Sequence, residues 1–372
     1  MNRRAFVSNG ILGAAAAGIG PLWGRAAGEE FPSDPQKAIL NYDPGMKYRK
    51  MGLTGLYVSA ISLGGLVMEE NVHRYALDRG VNFVHVATGY LGGRSIRTLG
   101  ELMKTYRDKV YIALKDDFRN LDDSLRALNT AHVDILMFNR HSASSAADPE
   151  IAEAFEKYKN QGKVRFAGLT SHGDVKDATA AGIRSGFYQV VMPVLNQPSF
   201  EALTEELRLA EQRRVGVMAM KSMKGVNSRD LEVAYVKKLM QNPAVTTITK
   251  GIGSIEMFEA YRQALNEPLA SAEDRALYRY AQANRGFNCM MCDECKGVCP
   301  SGVEVSTVLR AKDYYHDQMG DLDTALATYR ALPAGQAGDH TCHLCRKCEG
   351  VCPNGIPIVQ RLAAAREFFS RV

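Results

Sequence analysis

All eight cysteines of this 372-residue chain fall between positions 289 and 352. They form two copies of one pattern. The first is Cys289-x-x-Cys292-x-x-Cys295-x-x-x-Cys299-Pro300; the second is Cys342-x-x-Cys345-x-x-Cys348-x-x-x-Cys352-Pro353. The echo continues as Gly302-Val303-Glu304-Val305 and Gly355-Ile356-Pro357-Ile358. Three thiolates spaced by three on a tightly wound backbone supply three corners of a 4Fe-4S cube. The proline after the last cysteine fixes φ and removes a donor, which ends the turn.

In two-cluster ferredoxins with this spacing, the fourth thiolate comes from the other motif. Two clusters with crossed ligation are therefore expected. One takes Cys289, Cys292, Cys295 and Cys352; the other takes Cys342, Cys345, Cys348 and Cys299. Structural zinc is the first alternative, but a third Cys at the same interval in both copies is surplus to four zinc ligands. Four disulfides are the second, and they give no reason for the repeated spacing of three.

The N-terminus supports an iron–sulfur protein from another direction. Asn2-Arg3-Arg4-Ala5-Phe6-Val7 precedes a weakly apolar run from Gly10 to Leu22, and small residues end it near Gly28. Residues 1–28 read as a twin-arginine export signal, too short and too rich in Gly and Ala to anchor in a bilayer. A basic or disordered tail is the plainer alternative. Export of a folded, cofactor-loaded protein would keep its thiols from oxidising in the periplasm. The expected location is thus periplasmic, with a mature chain that is not transmembrane, since no other apolar run is long enough.

Removing Arg3, Arg4 and Arg25 from 46 basic residues leaves 43 against 41 acidic ones, so the mature chain is close to neutral. No Lys/Arg block suggests a nucleic-acid surface. From residue 58 onward, apolar β-branched runs alternate with longer amphipathic stretches. The expected strands are Val58–Gly65, Asn82–Thr88, Val110–Lys115, Val133–Asn139, Val164–Ser171, Gln189–Asn196, Val215–Lys221 and Val245–Ile252. Helices are expected at 94–107, 149–161, 200–213 and 229–241, with Leu66–Gly80 short for its place. Eight such units predict an α/β fold, a closed (β/α)8 TIM barrel. An open doubly wound sheet is the alternative, and no Gly-x-Gly-x-x-Gly turn follows the first strand to favour it.

Tyr48-Arg49-Lys50-Met51-Gly52-Leu53-Thr54-Gly55-Leu56-Tyr57-Val58-Ser59 resembles the opening of the aldo/keto reductases. Asn82 to Tyr90, Gly92-Gly93-Arg94-Ser95, Leu99-Gly100 and Asn242-Pro243-Ala244-Val245 are similar to later parts of that family. The cysteine region resembles the ferredoxin-type extension carried by one branch of it. The implied organisation is a signal at 1–28, a linker at 29–46, a reductase-like barrel at 47–268, and a mainly α-helical two-cluster domain at 269–372. Within the last, Ser306–His316 and Leu322–Leu332 are helix-like and Leu332–Gly338 is a loop.

The resemblance implies a mouth bearing Asp, Tyr, Lys and His, with Tyr as general acid. Here Tyr90 and Lys115 stand at the tyrosine and lysine positions. His85 replaces the aspartate and Asn139 replaces the histidine. His141 is either a second mouth residue or a solvated loop histidine. A bound NADP is expected only weakly: Thr170, Ser171, Asn196, Lys250 and Ser254 remain as polar contacts, while Met220, Met257 and Tyr261 replace residues that the family uses to hold it. Three functions stay open. They are an exported iron–sulfur oxidoreductase acting on a small molecule, an NADPH-dependent carbonyl reductase with a ferredoxin extension, and a non-catalytic electron carrier on a barrel scaffold. The implied partners are a small-molecule substrate and a redox protein or membrane electron carrier.

Overall fold

Strands rich in Val and Ile, apolar on both faces, are stable only when both faces are covered, which is what a ring of parallel strands under a coat of helices achieves. The computed structural model describes residues 31–372 apart from 117, 119, 173, 224, 225, 227, 318, 319, 339 and 340. The export signal expected at 1–28 lies outside the described residues. Ten strands are found among them. β1 (Tyr48–Lys50) and β2 (Tyr57–Ser59) form an antiparallel hairpin. β3 (Ile61–Gly64), β4 (Phe83–Ala87), β5 (Tyr111–Lys115), β6 (Val133–Asn139), β7 (Val164–Ser171), β8 (Val190–Pro193), β9 (Gly216–Ala219) and β10 (Val245–Lys250) close into one parallel barrel.

The stretch expected as a single strand at Val58–Gly65 is therefore two. Its first half belongs to the hairpin, which plugs the base of the barrel. Met51 is fully buried there, and the Leu53 amide donates to the Arg214 carbonyl at 2.9 Å. A Cβ on Gly52 would lie 2.3 Å from that same oxygen, and φ there is +52°, so glycine is required. Asn82, just before β4, holds β2 in place: its side-chain oxygen accepts from the Ser59 amide at 2.7 Å, and its amide donates to the Leu40 and Tyr57 carbonyls.

The expected helices form at Arg94–Tyr106, Glu150–Asn160 and Arg229–Gln241. The one expected at 200–213 is two pieces, Gln197–Ala202 and Thr204–Arg213. The short connection at 66–80 holds a nine-residue helix, Glu70–Asp78, and Leu121–Ala127 and Val175–Ser185 complete the coat. Gly100 lets the helix Arg94–Tyr106 meet its neighbour, because a Cβ there would sit 1.9 Å from the Ala127 carbonyl oxygen. Residues 35–46 also pack on the barrel: Asn41 donates to the Leu77 and Val81 carbonyls, and Ile39 and Met46 are buried.

Beyond β10 the chain is helical. Ser271–Ala283 packs on Arg229–Gln241 through Lys237–Glu273 and Lys238–Asp274, at 2.8 and 2.9 Å. A second apolar core gathers Val305, Val308, Leu309, Ile356, Ile358 and Leu362, separate from the barrel core. The segment expected as a helix at Ser306–His316 begins as a helix at Val305–Leu309. It then widens into a π-helical turn over Arg310–His316, a form frequent at functional sites. Helices Leu322–Arg330 and Ile358–Phe369 finish the domain. Among the described residues no helix is long and apolar enough to cross a membrane.

Candidate active site at the barrel mouth

In a parallel barrel the strand ends at one face point their last side chains into a common space. Here β4 brings His85, β5 brings Lys115, and the turn after β4 brings Tyr90. The three converge. Tyr90 meets His85 edge-on with ring centroids 6.0 Å apart, and the Lys115 ammonium lies 5.3 Å from the Tyr90 ring centroid. Tyr90 is presented by a tight turn in which Leu91 and Gly92 both have φ near +50° to +60°. The Lys115 amine thus faces the ring of Tyr90.

Three residues not anticipated from sequence complete the mouth. His172 follows β7, Lys221 follows β9, and Tyr314 comes from the π-helical turn of the C-terminal domain. An inner pocket of about 180 Å³ lies between His85, Tyr90, His172, Met192, Met220 and Lys221. An outer cleft of about 630 Å³ runs past Lys115 and Arg94 to the C-terminal domain. Asn139, expected at the histidine position, does not line either space; its side-chain oxygen is buried with no partner among the described residues. His141 stands behind His172, accepting the His172 amide on its Nδ1 at 3.3 Å. His172 sits one residue past a predicted strand, and Lys221 ends another. Both carried a positional signal. Tyr314 carried none, because only the fold brings residue 314 to the mouth.

The electrostatics follow from crowded cations and burial. Burial, then the Lys115 charge, lowers His85 to about 3. Burial and the charges of Arg310 and Lys115 lower His141 to about 4. His172 is pushed well below its usual range by burial and then by Lys221, Lys115 and Arg310. Burial lowers Lys115, and no carboxylate among the described residues pairs with it. Burial raises Tyr90 and Tyr314, so both hold their protons firmly.

The C-terminal domain roofs this mouth through three contacts. The Lys221 ammonium lies 3.7 Å from the Tyr314 ring centroid and 3.2 Å from the Met291 sulfur. The Arg310 guanidinium donates to the His172 carbonyl at 2.7 Å and to both oxygens of Asp293 at 2.9 and 3.0 Å. Met291 and Asp293 belong to the first cysteine motif, so that motif lies directly against the barrel mouth.

Cys289, Cys292, Cys295 and Cys352 line one cavity, walled by Met290, Leu309, Ile356 and Ile358. Cys352, from the second motif, is near enough to Cys292 and Cys295 to perturb their thiols, while Cys299 acts on Cys348. Neighbours therefore cross between motifs. The two copies also wind alike. Met291 and Asp293 have φ of 57° and 65°; Leu344 and Arg346, at the same offsets, both have φ of 58°. Non-glycine residues in this region cost about 1 kcal/mol or more each. Their recurrence at matched places belongs to a loop wound around a bound centre. Burial raises the Cys292 thiol to about 12 and also raises Cys295 and Cys348, a cost that ligation of thiolate to iron would offset. No disulfide joins any of the eight cysteines, and an Fe-S cluster fits the apolar, four-cysteine cavity.

The residues expected around a nicotinamide cofactor are largely occupied. Lys250 is bound to Glu232 at 3.3 Å, and Glu232 also accepts from Tyr261 at 2.6 Å. Ser254 caps its own helix, accepting the Met257 amide at 3.2 Å. Asn196 caps the helix at Gln197–Ala202, with its side-chain nitrogen buried and without a partner among the described residues. The Thr170 hydroxyl donates to the Met192 carbonyl at 3.4 Å, and Ser171 is buried. Among the described residues these groups offer no uncommitted cation for the phosphates, and no aromatic ring replaces Met220 against the nicotinamide.

Fold and site together define a parallel (β/α)8 TIM barrel whose open face is roofed by a cysteine-motif domain. The chain belongs to the aldo/keto reductase family, whose model matches residues 68–272; a 4Fe-4S dicluster domain matches residues 286–356. It is 26% identical over 201 residues to a Schizosaccharomyces pombe protein named as a voltage-gated potassium channel subunit beta. That match takes in 45% of this chain and 58% of the relative, less than two thirds of its length. The barrel superposes on an aldo-keto reductase from Bacillus halodurans in its holo form, with TM-score 0.52, 19% identity, and 63% and 96% of the two chains covered. An aldo-keto reductase from Klebsiella pneumoniae in complex with NADPH gives TM-score 0.52 and 21% identity over 63% and 94%. At such identity these likenesses show the fold.

Proposed function

We propose that this protein is an exported iron–sulfur oxidoreductase, in which a small-molecule site at the barrel mouth is coupled to two 4Fe-4S clusters. One observation carries it: the first cysteine motif touches the mouth, through Met291 on Lys221 and through the Arg310 bridge from Asp293 to His172. Cys289, Cys292, Cys295 and Cys352 would hold one cluster, and Cys342, Cys345, Cys348 and Cys299 the other; bound clusters supply one-electron transfer. Tyr90 and Tyr314 remain protonated donors at the mouth, and Lys115 and Lys221 orient the bound molecule. Among the cysteines, Cys345 is the exposed one, beside Leu344 at 60% exposure. The second motif thus supports exchange with a redox protein or membrane carrier. The residues around the expected NADP site do not fit that cofactor, so no step is assigned to it.

The test is a visible and EPR titration of anaerobically purified protein, first with NADPH and then with dithionite. Bleaching only by dithionite, with about eight irons per chain, is the expected result. Stoichiometric zinc without iron would refute it. A second function, NADPH-dependent carbonyl reduction, is favoured by family membership and by the NADPH complex of the Klebsiella pneumoniae neighbour. NADPH oxidation matched one to one by carbonyl reduction would establish that one instead.

A further inference from the structure

Two lysines of the barrel stand at the mouth, one of them without a carboxylate beside it among the described residues. Lys115 and Lys221 both line the cleft, and both act on His172 from opposite sides of the barrel. Arg310 is matched by Asp293. The carboxylates of the cleft, Asp321 and Asp323, stand on the helix at its outer end, and Asp321 is engaged by the Thr324 amide at 3.0 Å. Lys115 therefore has no carboxylate partner among the described residues, although it is hemmed in by Tyr90 and by the C-terminal domain. A desolvated ammonium without a counter-ion is costly, and the cost is removed when a ligand brings the opposite charge.

We propose that the cleft binds a small organic anion, its carboxylate or phosphate oxygens lodged by Lys115 and Lys221 beneath the ring of Tyr314. The proposal rests on the mouth being the small-molecule site and names the substrate class for it. Tyr90 and Tyr314, both protonated, donate hydrogen bonds to the same ligand. The inner pocket, walled by Met192 and Met220, takes the uncharged remainder of the molecule. A cleft of about 630 Å³ is within the range of sites for small metabolites. The neutral histidines His85, His141 and His172 support the assignment. Burial chiefly keeps them unprotonated, and the cations that add to this, Lys115, Lys221 and Arg310, are those an anion would meet.

The experiment is calorimetric titration of the cluster-loaded protein with malonate, inorganic phosphate and neutral malonamide. At least one anion should bind while malonamide does not, and the stronger of the two anions identifies a carboxylate or a phosphate ligand. Lys115→Gln and Lys221→Gln should each weaken the binding by about tenfold or more, and Lys221→Arg should retain it. The visible spectrum of each variant reports that its clusters and fold are intact. Equal binding of malonamide and malonate, no heat from either anion, or unchanged anion affinity in Lys221→Gln would overturn the proposal. The last of these would leave Lys221 as a latch between domains. Binding is measured without electron transfer, so failure here and failure of the cluster-coupled function are separate results.

Discussion

The Lys221 ammonium rests 3.7 Å from the centroid of the Tyr314 ring, a cation from the end of a barrel strand beneath an aromatic from the cysteine-motif domain. Tyr314 is 8% exposed, so the contact is largely shielded from solvent, where cation–π attraction reaches about 2 kcal/mol. Tyr314→Phe keeps the ring and should leave domain docking intact. Tyr314→Ala removes both ring and burial and should loosen the roof. Differential scanning calorimetry checks it: one endotherm in the parent and the Phe variant, two resolved endotherms in the Ala variant. A single unchanged endotherm for Tyr314→Ala would show that the roof is held elsewhere.

The crossed arrangement of cysteines makes a prediction about which variants resemble one another. Cys289→Ala and Cys352→Ala would remove ligands of the same proposed cluster, since both line the same cavity. They should share one EPR signature and each lose about four irons. Cys299→Ala should give the other signature, together with Cys348→Ala. If Cys352→Ala instead matches Cys348→Ala, ligation stays within each motif.

The barrel and the two cysteine motifs were legible in the sequence for a physical reason. Apolar β-branched runs and fixed cysteine intervals are local patterns, and each dictates its own backbone. The mouth was half legible. His85 within β4, Tyr90 in the turn after it and Lys115 at the end of β5 do converge, whereas Asn139 ends its strand turned into a buried site. Tyr314 and Arg310 reach the mouth only because two domains dock, and nothing local in residues 310–316 signals that contact. The split at Ala60 was hidden because the hairpin strand and the barrel strand follow one another with a single residue between them and no Gly or Pro to mark the break.

Acid should destabilise the fold through His85. In the folded chain its pKa is about 3, below an unfolded value near 6.5, so the unfolded state binds the extra proton in between. Stability from the neutral ring is fully present above about pH 6.5 and is lost as pH falls towards 3, by about 1.4 kcal/mol per unit at most. His85→Gln should flatten this slope. Urea midpoints at pH 7.5 and 5.5 for parent and variant measure it, and parallel lines would mean that His85 is not the group responsible.

The proposed export is a separate matter and rests on Arg3 and Arg4. A twin-arginine signal is read by a receptor through its paired guanidinium groups, and two lysines supply the charge without the fork geometry. The Arg3→Lys/Arg4→Lys variant should therefore remain as precursor in the cytoplasm. Cell fractionation decides it, and undiminished periplasmic protein in the variant would show that residues 1–28 are not such a signal.

The last prediction is that NADPH does not serve as the working reductant. A phosphate-bearing cofactor needs a cation or free amides where its phosphates lie. Lys250 has the right position at the end of β10, but Glu232 holds it at 3.3 Å, and the same carboxylate takes the Tyr261 hydroxyl and Arg229. Burial, partly offset by Glu232, lowers the Lys250 pKa, which weakens its claim as a permanent cation. The nearby helix Ile255–Ala264 has its first turn capped by Ser254. At the reacting end, Lys115 sits over the face of the Tyr90 ring, and its neighbour His85 is neutral, so neither lowers the Tyr90 pKa towards the operating pH. Calorimetric titration with NADPH should give no heat of binding in the micromolar range, and stopped-flow absorbance should show no cluster bleaching on mixing. Glu232→Gln, which frees Lys250, should be the variant that gains affinity. Micromolar binding by the parent, together with NADPH-driven carbonyl reduction, would overturn this and make His85 a working substitute for the aspartate.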